Sequence, residues 1–124
     1  MERFLLVGVG AFVGAIARYG LGLWFSERFG PGFPIGTLVV NVSGSFLLGF
    51  LVVHATERLG LGEPARLLLG VGFCGGFTTF SAFALETMVL LEARAYLAAT
   101  LNILVSVALS ILGVVAGIWL ARTL

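Results

Sequence analysis

The chain has 124 residues, 60% of them hydrophobic and 10% charged, with a formal net charge of +1. A soluble domain cannot cover that much apolar surface, so the composition selects an integral membrane protein, and the charge leaves no basic footprint for nucleic acid. The single cysteine, Cys74, excludes an intrachain disulfide and offers no metal-ligand pattern; it reads as a small packing residue.

At about 20 residues per spanning helix, the length accommodates four transmembrane helices in one all-α domain, 1–124. Arg3 precedes an apolar run as in a signal peptide. No cleavage-like boundary follows, and the run matches the others in length, so it reads as a first helix over about residues 4–24. Gly10 and Gly14 stand there at the spacing that lets helix backbones approach closely. Arg18 must face protein or snorkel to the interface, where Trp24 also belongs.

The second helix spans about residues 34–56, beginning at Pro34. Asn41, Ser45 and Gly49 fall four apart on one face, and Thr37 extends that stripe. A small-residue packing seam accounts for Ser45 and Gly49 but not for Asn41, whose carboxamide needs partners in lipid. His54, with no second histidine to pair with, reads as an interfacial residue.

The third helix covers about residues 64–90, with Pro64 placed to start it. Its centre, GVGFCGGFTTFSAF over residues 70–83, is unusual for a membrane span. Gly75 and Gly76 each cost about 1 kcal/mol in a helix interior relative to alanine. Thr78, Thr79 and Ser81 follow, each able to bond nearby backbone, and then Phe80 and Phe83 resume helical spacing toward Glu86. The pattern predicts a helix broken mid-membrane near residues 75–79, its freed polar groups buried in protein or lining a cavity. A continuous helix with a glycine-rich packing face is the alternative. Glu86 suits pairing with an arginine, binding a cation, or marking the water interface.

The fourth helix spans about residues 96–120. Asn102, Ser106 and Ser110 again recur at intervals of four, followed by Gly113 and Gly117 as a close-packing pair. No paired acids, His–Cys cluster or phosphate loop occurs, so the sequence offers no enzyme site. With four spans, one side carries Arg3, Arg58, Arg66 and Arg122, and the other Arg28 and Arg94, with Arg18 if it snorkels outward. That bias is small for a chain whose orientation follows its basic loops, so insertion both ways is expected. The chain has no convincing internal repeat, and inverted symmetry would have to come from a second copy.

Three stretches, GAIARY at residues 14–19, GTLVVNVSGSF at 36–46 and GFCGGFTTFSAF at 72–83, with Glu86 after them, resemble the small fluoride channels of the Fluc family, also called CrcB. The likeness covers nearly the whole chain. It implies an antiparallel, dual-topology homodimer with two pores, multi-pass in the inner (cytoplasmic) membrane. The dimer would export fluoride passively and so relieve its toxicity. It also implies a structural sodium ion at the dimer interface, held by backbone carbonyls that correspond to Gly75 and Thr78. The family's pore phenylalanines fall on Phe80 and Phe83, its pore asparagine on Asn41, and its hydroxyl track on Ser106 and Ser110. Ser81 and Glu86 match polar positions near the pathway, while Asn102 stands at the end of the track, which can carry a different polar group in relatives. Donors such as Asn41 and the serines suit a dehydrated anion, and phenyl rings present positive edges to it; the identity of the ion rests on the resemblance. A small multidrug-type, proton-coupled exporter is the competing transporter class, but it wants a buried carboxylate in the first helix, and residues 4–24 contain none. A non-transporting membrane scaffold would explain the glycines and leave Asn41 and the fourth-helix stripe without purpose.

Overall fold

In lipid, backbone amides and carbonyls must be satisfied inside the segment that carries them, which restricts so apolar a chain to helices or a closed barrel. The computed structural model describes all residues, 1–124, and contains helices and no strands. Helix α1 is Glu2–Phe29. Helix α2 is Ile35–Val53 and continues into one wider, π-type turn, His54–Arg58. Helix α3 occupies residues 62–77: a first turn Gly62–Ala65, a π-helical stretch Arg66–Cys74, and a return to α geometry at Gly75–Phe77. Helix α4 is Phe80–Glu92 and α5 is Tyr96–Thr123. Four runs are long and apolar enough to cross a bilayer: Glu2–Phe29, Ile35–Arg58, Gly62–Glu92 and Tyr96–Thr123. The chain is therefore a multi-pass membrane protein.

Several ends lie further out than hydropathy places them. α1 runs past Trp24 to Phe29 because nothing breaks it before Gly30, at φ 71°, and Pro31. Only glycine adopts that left-handed geometry readily. α3 begins at Gly62, ahead of Pro64, which sits within the first turn where its missing N–H is harmless. α5 continues beyond Leu120 to Thr123. There Arg58 donates Nε–H to the Ala121 carbonyl at 3.3 Å and a second N–H to the Arg122 carbonyl, capping the last turn.

Two glycine seams hold the helices together, α1 on α3 and α2 on α5. A Cβ on Gly10 or Gly14 would strike the Leu68 or Phe73 carbonyl, and one on Gly76 would stand 2.5 Å from the Ala11 carbonyl. On the other seam a Cβ at Gly49 would lie 2.5 Å from the Val114 carbonyl, and one at Gly117 would strike that of Phe46. Lipid tails are as apolar as leucine, so close van der Waals packing, rather than burial, is what drives these contacts. Only 19 of 124 residues are buried, which leaves most apolar side chains facing outward. Phe4, Phe12 and Ile16 on α1 and Leu104, Ile111 and Trp119 on α5 are examples, a surface suited to lipid or to another membrane-embedded chain.

Gly117→Leu should therefore lower the stability of the purified protein in detergent by about 3 kcal/mol, or prevent recovery of a monodisperse species, through overpacking. Gly8→Ala, where nothing lies within 4 Å of the added Cβ, should melt with the parent. Coincident melting curves for all three proteins would refute the seam.

Candidate functional site

Between α3 and α4 two residues leave helical geometry: Thr78 at φ −86°, ψ 157° and Thr79 at φ −150°, ψ 110°. Every backbone group displaced by that change needs a new partner. Thr78 keeps contact with α3, its amide and its hydroxyl both donating to the Cys74 carbonyl at 2.9 Å. Thr79 caps α4, its hydroxyl oxygen accepting the Ala82 amide at 3.1 Å. From α2, Asn41 takes both backbone groups of Thr79. Its Oδ1 accepts the Thr79 amide at 2.7 Å, and its Nδ2 donates to the Thr79 carbonyl at 3.0 Å. From α1, Arg18 turns inward and donates Nε–H to the Gly76 carbonyl at 3.0 Å, a cation at the C-terminal end of α3 where the helix dipole favours one.

Three carbonyls are left over, those of Gly75, Phe77 and Thr78. The Thr79 amide, which a continuous helix would give to Gly75, goes to Asn41. The Ala82 amide, which would serve Thr78, goes to the Thr79 side chain. The Gly75 and Thr78 oxygens thus stand without their helical donors. Gly75 lies on an exposed face, with nothing within 4 Å of the position its Cβ would take. No group of three or more His, Cys, Asp or Glu side chains converges anywhere.

A cavity of about 310 Å³ opens beside this region, walled by Asn41 and Ser45 of α2, Thr78, Phe80 and Phe83, and Ser106 and Ser110 of α5. It gathers Asn41, Phe80, Phe83, Ser106 and Ser110 from three separate spans. The two phenyl rings lie 5.4 Å apart, tilted by 46°. Phe83 is 9% exposed and belongs to the core, whereas Phe80 is 78% exposed and faces outward. A second cavity, about 480 Å³, lies toward the α1–α2 connection and takes in Arg18, Thr37, Thr79 and Glu86. Asn41 lines the first and Thr79 the second, so their paired hydrogen bonds stand between the two. Glu86 accepts the Thr37 hydroxyl at 2.8 Å through Oε1, and its Oε2 is buried without a partner. Ser81 lines neither cavity; it is exposed, 3.4 Å from the Thr79 hydroxyl. Gly75 lines neither as well.

The family model described as "CrcB-like protein, Camphor Resistance (CrcB)" matches residues 5–118. The chain belongs to the CrcB family. A relative from Roseiflexus sp. (strain RS-1), named fluoride-specific ion channel FluC, is 48% identical over 122 residues, 98% of each chain. Relatives of the same name from Rhizobium meliloti (strain 1021) and Phenylobacterium zucineum (strain HLK1) are 46% and 49% identical, covering 100% and 98% of this chain and 99% and 97% of their own.

For this CrcB chain the sequence pattern gave no role to Thr87, which accepts the Asn102 Nδ2–H at 2.9 Å. A buried carboxamide demands such a partner, and a lone threonine on the facing half-helix was the signal. The inward turn of Arg18 was one of two options that the sequence left open. The double engagement of Asn41 was not legible at all.

Asn41→Leu would strip both partners from Thr79, and an unpaired backbone group costs about 1–3 kcal/mol. The variant should melt at least about 2 kcal/mol below the parent in detergent without any ion present, while Ser110→Ala should melt unchanged. A stable Asn41→Leu protein would show that the clasp is dispensable.

Proposed function

We propose that the chain is a passive, fluoride-selective channel that exports fluoride across the inner, cytoplasmic membrane and relieves its toxicity. It acts as an antiparallel homodimer of oppositely inserted copies, with residues 62–92 forming one span broken near mid-membrane at Thr78 and Thr79. One observation carries this reading: donors and phenyl rings from three spans share one cavity, in a chain 46–49% identical to relatives named as fluoride channels. A bare anion needs its hydration replaced by donors. Ser110 offers a hydroxyl, Ser106 a second one whose hydrogen is bonded to Asn102, and Asn41 keeps a second Nδ2 hydrogen beyond the one given to Thr79. Phe80 and Phe83 wall the path with rings whose edges are positive and faces negative, so an anion passes at the edge. Fluoride is small and bonds strongly to close-set donors that chloride approaches less well, and selectivity follows from size and donor spacing. A proton-coupled multidrug exporter is disfavoured because the acids of α1, Glu2 and Glu27, stand near its ends.

A structural sodium ion at the dimer interface belongs to the same reading. The Gly75 and Thr78 carbonyls, deprived of helical donors, are hard oxygen ligands, and two copies would supply four. Such an ion would neutralise the oxygens and tie the two copies together. Within one chain a side chain at Gly75 meets nothing, so any penalty there reports on a partner. Gly75→Val should leave the subunit folded and abolish the dimer on size-exclusion chromatography. A dimer retained by Gly75→Val, and insensitive to replacing all sodium by a large organic cation, would refute this part.

Permeation is tested with fluoride-electrode recordings of efflux from loaded proteoliposomes. The parent should release fluoride without proton coupling. Asn41→Asp should suppress release by placing a carboxylate before an anion, and Phe80→Ile and Phe83→Ile should each slow it about ten-fold, the loss of roughly one 1.4 kcal/mol interaction. Folded Asn41→Asp and double Phe→Ile proteins passing fluoride at the parent rate would exclude this path.

A further inference from the structure

We propose that Asn102 is a positioning residue: it draws the Ser106 hydroxyl hydrogen away from the cavity and so keeps the ion's hold there weak. The inference rests on the fluoride-channel reading above. Asn102 does not line the cavity, whereas Ser106 does. Behind the wall lies a buried chain of hydrogen bonds in which Asn102 is 1%, Ser106 6% and Thr87 7% exposed.

The direction of that chain follows from proton counting. Thr87 has one hydroxyl hydrogen, and it lies 2.7 Å from the Phe83 carbonyl, a group that can only accept. The Thr87 oxygen must therefore accept from Asn102, which turns the Asn102 Nδ2 toward it at 2.9 Å. Oδ1 of Asn102 then faces Ser106, and at 3.2 Å it accepts the only hydrogen that Ser106 owns. Every donor in the series points along the buried chain, from Ser106 through Asn102 and Thr87 to the Phe83 backbone carbonyl. Ser106 shows the cavity its lone pairs.

An anion at Ser106 must therefore compete with Asn102 for one hydrogen. This exchange favours transit: a pore site has to bind well enough to admit the ion and weakly enough to release it. Ser110, on the same wall, has no comparable hold on its hydroxyl, so the two serines differ in kind although the sequence presents them alike.

Single-channel currents of the intact protein in planar bilayers, measured against fluoride concentration, test this. Asn102→Leu frees the Ser106 hydrogen, so half-saturation should fall about five-fold, the scale of one ordinary hydrogen bond, and the maximal current should fall with it. The shift should vanish in the Asn102→Leu/Ser106→Ala double variant, since it acts through Ser106. Thr87→Val conserves volume and leaves Asn102 in place, but lets its amide turn over and donate to Ser106; half-saturation should fall about two-fold. That variant decides the matter if Asn102→Leu does not fold. Unmoved half-saturation, or a shift that survives Ser106→Ala, overturns the role of Asn102. A parent with no fluoride current overturns the channel reading and this inference together.

Discussion

The paired hydrogen bonds between Asn41 and Thr79 are the constraint on which the rest of the site depends. Two consecutive residues outside helical geometry release amides and carbonyls that lipid cannot satisfy. Asn41 meets both the amide and the carbonyl of Thr79 with one side chain, at 2.7 and 3.0 Å. A carboxamide offers a donor and an acceptor in a single plane, whereas an ionised aspartate only accepts and leucine does neither. Fixing Thr79 fixes the Thr79 hydroxyl that caps α4, and with it the direction in which Phe80 and Phe83 leave the chain.

That clasp works only if α2 is held at a constant distance from the α3–α4 connection. The glycine seams supply this. Gly44 of α2 has the Thr78 methyl and the Phe77 ring directly against it, space that a side chain at 44 would take. Gly113 and Gly117 bring α5 equally close to the opposite side of α2. Packing of backbone on backbone tolerates little displacement, and so the donors of α2 and α5 meet across a cavity of about 310 Å³ with fixed spacing. Ordering a wall in this way removes the reorganisation that flexible donors would require when an ion arrives.

Four long apolar helices were legible from composition and run length, as was the crowding of glycine along their contacts. So was the need of Asn41 for a partner, because an amide in lipid cannot stand alone. The identity of that partner was not legible, since it depends on the tertiary approach of residues 38 positions apart in the chain. Helix ends were misplaced at Trp24 and Pro64 because hydropathy weights apolar runs, while α1 ends at the positive-φ Gly30 and α3 begins at the positive-φ Gly62. Asn102, Ser106 and Ser110 form one stripe in sequence. Hydrogen-bond direction separates them, and direction is invisible without Thr87 and the Phe83 carbonyl.

Around residues 75–83 the chain distributes its polar groups unevenly. Amides are claimed by side chains, Thr79 by Asn41 and Ala82 by Thr79, and this leaves carbonyl oxygens at Gly75 and Thr78 in surplus. On the cavity wall, half of which is apolar, the polar groups are hydroxyls and one amide. One departure from helical geometry thus sets surplus carbonyls a few residues from a wall whose polar groups are neutral hydroxyls and an amide. The first suits a cation and the second an anion, and each charge would steady the other in a medium of low dielectric. Neither face needs an ionised side chain within the first cavity; Arg18 and Glu86 lie at the second. A permanent charge on that wall would bind fluoride too tightly to release it, or repel it outright. Neutral donors whose hydrogens are partly claimed by the protein avoid both outcomes.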